Sequence, residues 1–252
     1  TTLFRSREGV PAGSPLDRLL REASSSEEIL TLLATPGFVR PEQWQAQIQA
    51  LIQRRIRQDV QGMHAYAIQD YTGMVKLDAM ENPFGLSPEL QAQLGQRLGA
   101  VALNRYPGER VNLLRQALAQ YAQMPEGFDI MLGNGSDELI TLVSIACDVP
   151  GATFLAPVPG FVMYAMSAQL QGIQFQGVPL TANFELDEAA MLAAIAQHKP
   201  AVVYLAYPNN PTGTLWDADV IERIVVAQGQ QGGLVVMDEA YQPFASQTYM
   251  DR

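Results

Sequence analysis

Four short stretches hold side chains able to act together on a small ligand. The first is Leu132-Gly133-Asn134-Gly135-Ser136-Asp137-Glu138, where two glycines permit a tight turn and Ser136 opens a helix with two acids in its first turn. Free backbone N–H groups and the positive end of the helix dipole make such a turn a seat for phosphate, with the Ser136 hydroxyl as a further donor. The same residues equally suit an ordinary helix start, with Ser136 as N-cap and the acids complementing the dipole. The spacing is neither that of a P-loop nor G-x-G-x-x-G, so nucleotide binding gains nothing from it.

The second stretch, Tyr207-Pro208-Asn209-Asn210-Pro211-Thr212-Gly213, follows an apolar run. Its prolines fix φ, Gly213 releases it, and the two amides face whatever the loop faces. In the third, Met237-Asp238-Glu239-Ala240-Tyr241, an Asp at a strand end serves either as a turn former or as the carboxylate that holds a protonated ring nitrogen. Tyr241 can then donate to an oxygen on the same ring. The fourth is Pro157-Val158-Pro159-Gly160-Phe161, whose aromatic is core by default but can stack on a flat ring if it lies on a shared edge. Singly each is modest. Their order along the chain is more specific.

Those residues cooperate only if the fold brings them to one place. From residue 129 the chain alternates, with strands predicted at 129–132, 153–156, 174–178, 201–206 and 234–237 and helices at 136–147, 161–170, 187–197 and 217–228. This predicts an α/β domain, a mainly parallel sheet with helices on both faces. Right-handed crossovers then set the strand C-termini, and all four stretches, along one edge. Upstream, Ser87-Pro88-Glu89 signals a helix start, 104–108 a turn and 113–121 another helix.

Residues 1–58 differ in texture, being rich in Gln, Ser, Glu and Arg, with helical patterns at 15–33 and 41–58 divided at Thr35-Pro36-Gly37. In the second pattern Trp44, Ile48, Leu51 and Ile52 share a face. The expected organisation is therefore a helical N-terminal extension at 1–58, an intermediate segment at 59–125 and a large domain at 126–252.

Composition narrows the function. A formal charge of −10 without a Lys- or Arg-rich stripe speaks against nucleic acid as a partner. No apolar run has the length of a membrane span, no secretory signal precedes the first helix, and Cys147 is the only cysteine. A cytoplasmic protein is expected. Residue 1 is Thr rather than Met, so the natural start is expected to be either missing or processed.

The stretches "KLDAMENPFGLSPEL", "NRYPGERVNLLRQALAQY", "LGNGSDELI", "APVPGFVMYAMSAQL", "YLAYPNNPTGTL" and "VVMDEAYQPFA", in this order over residues 56–247, resemble the class I/II aminotransferases. The resemblance implies a fold-type I large domain, pyridoxal 5'-phosphate as cofactor, no metal, and a homodimeric enzyme of amino-acid biosynthesis. It implies small amino-acid or phosphate-bearing substrates. Gly135, Ser136 and Asp137 match the turn that seats the cofactor phosphate, and Phe161 the aromatic on the pyridine ring. Asn210 and Tyr241 match the groups on its phenolic oxygen, and Asp238 the carboxylate on its nitrogen. Tyr106 matches a residue that reaches the cofactor of the neighbouring subunit.

Met80 departs from the family's common Asn. The family's Schiff-base lysine lies beyond the Asp-Glu-Ala-Tyr motif, and neither Lys76 nor Lys199, the only lysines, matches it. The chain ending at Arg252 is thus expected to be C-terminally truncated and inactive alone. Relatives acting on aromatic amino acids, or decarboxylating a threonine phosphate, would share these cofactor residues. A regulatory module on the same fold would need a basic recognition helix, which residues 1–58 lack.

Overall fold

Period-two burial along short apolar runs builds the core. The computed structural model describes residues 42–63, 72–75, 82–250 and 252 and divides the chain into two compact units, 1–65 and 66–252. In the first unit the described helices are α1 (Glu42–Arg55) and α2 (Gln58–Gln61). The pattern predicted as one helix at 41–58 is thus broken at Ile56-Arg57, where Arg57 turns to pair with Asp59 at 2.5 Å. The predicted helix at 15–33, the Thr35-Pro36-Gly37 break, the Trp44 side chain, Lys76 and Met80 lie outside the described residues.

The second unit begins with α3 (Pro88–Gly99) and α4 (Glu109–Tyr121). There follow α5 (Ser136–Ala146), β1 (Thr153–Val158), α6 (Val162–Gln171) and β2 (Gln174–Pro179). α7 (Glu188–His198), β3 (Val202–Ala206), α8 (Ala218–Gln230) and β4 (Leu234–Asp238) complete the order, before a single 3-10 turn at Gln242–Phe244. Helix starts follow side-chain caps where the sequence offers them. Ser87 Oγ accepts from the Leu90 N–H, Asp187 from Ala190, and Asp217 from Asp219 and Val220.

The four strands are all parallel, in the order β2-β1-β3-β4. Alternation splits each central strand between two layers. Phe154, Ala156, Val202 and Tyr204 pack with Ile140 of α5 and Tyr164 and Ala168 of α6 on one face. Leu155, Val203 and Leu205 pack with Met191 and Ile195 of α7 and Ile221 and Ile224 of α8 on the other. Every residue of β3 is buried. An ion pair from Arg223 to both oxygens of Glu188, at 2.6 and 2.8 Å, joins α8 to α7 at the surface.

The predicted strand at 129–132 is not one. It is extended but forms no ladder, because the sheet ends at β4 and β2 and this segment is hydrogen-bonded to neither. Asp129 instead accepts from its neighbour's N–H, Ile130, and pairs with Arg115 of α4. Apolar periodicity marks which side chains want cover; it does not supply a ladder partner.

Candidate functional site

Strand parity decides which way each edge residue points. Val236 packs on the α5/α6 layer while Val235 and Met237 pack on the other. Asp238, two residues beyond Val236, therefore returns to the α5/α6 side, and it pairs in register with Ala206 of β3. There its Oδ2 accepts a 2.7 Å hydrogen bond from the phenol of Tyr164 on α6. Its Oδ1 accepts from the Ala240 N–H at 3.1 Å. The carboxylate is half-buried and each of its oxygens has a donor.

Tyr164 is itself held by rings. It stacks on Tyr204 of β3, with centroids 4.5 Å apart and planes 9° from parallel, and meets Phe161 edge-on at 5.6 Å and 86°. Burial first, and the Asp238 charge beside it second, hold the Tyr164 proton far more tightly than an ordinary phenol. Tyr164 is therefore a permanent donor. Phe161 is the N-cap residue of α6 and is half-buried, so its ring stands at the edge rather than inside the core.

The loops after β1 and β3 are tied together by Asn209, not Asn210. Asn209 is buried and its amide donates to the Pro159 carbonyl at 3.1 Å and to Thr212 Oγ1 at 2.9 Å. Asn210 is half-buried beside it. After β4, Glu239 accepts from the Thr248 hydroxyl and the Tyr249 N–H through one oxygen, at 2.7 and 2.8 Å. This closes the segment in which Tyr241 sits, half-buried, ahead of the 3-10 turn.

α5 runs into β1, so its last turn lies where the strands begin and its first turn where they end. The ordinary helix-start role considered for Ser136 does not hold, because the N-cap is Gly135 (φ 82°, ψ 175°) and no side chain caps the first turn. A φ of that sign is why a glycine stands there. Glu138 reaches back 2.6 Å to the Asn134 N–H, fixing the turn from outside. The amides of Ser136 and Asp137 carry no side-chain cap and suit an anion. The free thiol Cys147 lies half-buried just past the end of α5, away from this turn.

Thus Asp238 ends β4, and Phe161, Asn210 and Tyr241 lie beyond the ends of parallel strands, with the Gly135–Asp137 turn at the same edge. Tyr106 stands apart, 98% exposed in the turn before α4. Lys199 caps the C-terminus of α7 just before β3, at the opposite edge of the sheet. Tyr164 is not singled out by the sequence, while Asn209 and Glu138 are named in their stretches without the contacts that they make here. Tyr164 had a signal, lying one helical turn after Phe161 on the face that parity assigns to Asp238.

The family model described as Aminotransferase class I and II matches residues 72–251. The histidinol-phosphate aminotransferase of Polaromonas naphthalenivorans is 74% identical over 201 residues, 80% of this chain and 55% of its own length. That of Paracidovorax citrulli is 67% identical over 202 residues, again 55% of its length. The chain spans about half the length of the curated relatives it matches. The crystal structure of histidinol-phosphate aminotransferase from Sinorhizobium meliloti in complex with pyridoxal-5'-phosphate shares the fold. Its TM-score is 0.62 at 24% identity, covering 76% of this chain and 52% of that one.

Proposed function

The chain belongs to the aminotransferase class I and II family, and from that premise we propose that it is the cofactor-holding part of a histidinol-phosphate aminotransferase. The full protein would move an amino group between glutamate and the imidazole-acetol phosphate/histidinol phosphate pair, in the cytoplasm. The observation that carries the reading is Asp238, fixed at the C-terminal end of β4 by two donors on the edge that also holds the uncapped first turn of α5. The substrate pair rests on the 67% and 74% identity to relatives of that name.

The residues fit pyridoxal phosphate. A doubly anionic phosphate suits the Ser136 and Asp137 amides and the Ser136 hydroxyl, and a half-buried carboxylate suits a ring nitrogen that must stay protonated. When bound, the cofactor supplies an electron sink for the bond electrons released as the amino group is transferred. Asp238 would pair with the protonated ring nitrogen. Phe161 would cover one face of the ring, and Asn210 and Tyr241 would donate to its phenolic oxygen. Asn209 and Glu239 hold the loops that present these groups. Proton transfer at the substrate needs an amine other than Lys199, which sits at the far edge. Tyr106, exposed on one protomer, would reach the cofactor of its partner in a homodimer.

The test is a transamination assay on the protein at the full length its gene encodes, with glutamate and imidazole-acetol phosphate. We expect glutamate-dependent turnover, lowered about a hundredfold or more in Asp238→Ala with far-ultraviolet circular dichroism unchanged. Turnover confined to phenylalanine or tyrosine would overturn the substrate. Unchanged turnover in Asp238→Ala would overturn the site.

A further inference from the structure

Asp238 can hold a cationic ring nitrogen only if its own carboxylate is kept charged and aimed, and its neighbours differ in how well they do that. The Ala240 N–H is a neutral donor at 3.1 Å in a turn. The Tyr164 phenol is closer, at 2.7 Å, and comes from another element altogether, 74 residues away in sequence. Its aim is set by three rings. Tyr204 below fixes the plane of Tyr164, Phe161 abuts its edge, and Phe154 meets Tyr204 at 5.8 Å and 66°. Both Tyr164 and Tyr204 are buried, so neither ring is free to leave. We propose that Tyr164 is a positioning residue for the cofactor: stacked on Tyr204, it donates to Asp238 Oδ2 and sets the direction of the carboxylate offered to the ring nitrogen.

This role rests on the reading of Asp238 given above. A phenol that does not ionise at working pH donates at all times and never competes for the ring proton. Its hydrogen bond occupies Oδ2 from the α6 side and the Ala240 N–H holds Oδ1, so the carboxylate has one fixed direction in which to meet the ring nitrogen. Phe161, which would cover the ring face, abuts the residue that orients Asp238. Tyr164 touches no reacting atom; it works through Asp238.

The experiment uses the protein at the full length its gene encodes, loaded with pyridoxal phosphate labelled with nitrogen-15 in the ring. Tyr164→Phe keeps the ring and its stack and removes only the hydroxyl. We expect pyridoxal phosphate to bind about tenfold more weakly, the scale of one lost hydrogen bond to a charged group. We also expect a displaced ring-nitrogen signal and a reduced kcat with the KM for glutamate little changed. Tyr121→Phe, which removes an exposed phenol on α4 outside the site, should match the parent in all three. 3-Fluorotyrosine at position 164, a near-isosteric and stronger donor, should move the nitrogen signal in the opposite direction; it settles the question even where Tyr164→Phe does not fold. A parent-like signal and affinity in Tyr164→Phe, or an unmoved signal with 3-fluorotyrosine, overturns the positioning role. If Asp238→Asn binds pyridoxal phosphate as the parent does, the reading of the site itself fails, whatever Tyr164 does.

Discussion

At the scale of single residues, side chains that never touch a ligand set the geometry of those that would. Asn209 is the clearest case: its buried amide bridges the loops after β1 and β3. Asn209→Ala leaves the Pro159 carbonyl without that donor and should lower stability by about 1–3 kcal/mol in urea titration. It should also weaken pyridoxal phosphate binding. Tyrosines supply a second check. Burial raises Tyr204 and Tyr249 to about 12, from an ordinary value of 10.0, and Tyr164 higher still. A phenol raised on folding stabilises the protein fully below its unfolded pKa, and that contribution is lost as pH rises through the folded value. Stability should therefore decline above pH 10.0 and through about 12, and ultraviolet titration should find these phenols ionising late. The sequence made Asp238 and Phe161 visible because motif order marks the residues proposed to touch a ligand. It left Asn209 and Tyr164 obscure because a residue acting through another is recognisable only once its partner's direction is known.

At the scale of elements, the strands and helices from residue 153 onward follow from apolar runs and caps within a residue or two, since each buries a face that the sequence displays. The segment at 129–132 shows where that logic stops: ladder formation is a property of two segments, not one. Packing at the turn between α8 and β4 is similarly invisible in a pattern. Gln228 is buried and donates to the Pro200 carbonyl at 2.7 Å and to the Leu234 carbonyl at 3.3 Å. A Cβ at Gly233 would strike the Gln228 amide and come within 2.5 Å of the Pro200 carbonyl. Gly233→Ala should cost about 1–3 kcal/mol, read as a lower urea midpoint with the slope unchanged. Leu205→Ala, in the middle of the buried β3, should cost about 2–5 kcal/mol by the same measurement.

At the scale of the molecule, the second unit presents apolar surface on its leading helices. Leu90, Leu94 and Leu98 recur every fourth residue on α3, all exposed, and neither α3 nor α4 contains a buried residue. In the homodimer proposed above, these leucines, near Tyr106 in sequence, would face the second copy. Leu94→Asp should shift the sedimentation of the full-length protein toward monomer; an unchanged sedimentation coefficient would place the dimer contact elsewhere. The strand order carries one more consequence. β2 pairs with β1, β3 then joins the other side of β1, and β4 joins β3. Among the described strands, β2, β3 and β4 each leave the ribosome after a strand with which they pair, so this part of the sheet can be assembled in the order in which it is synthesised.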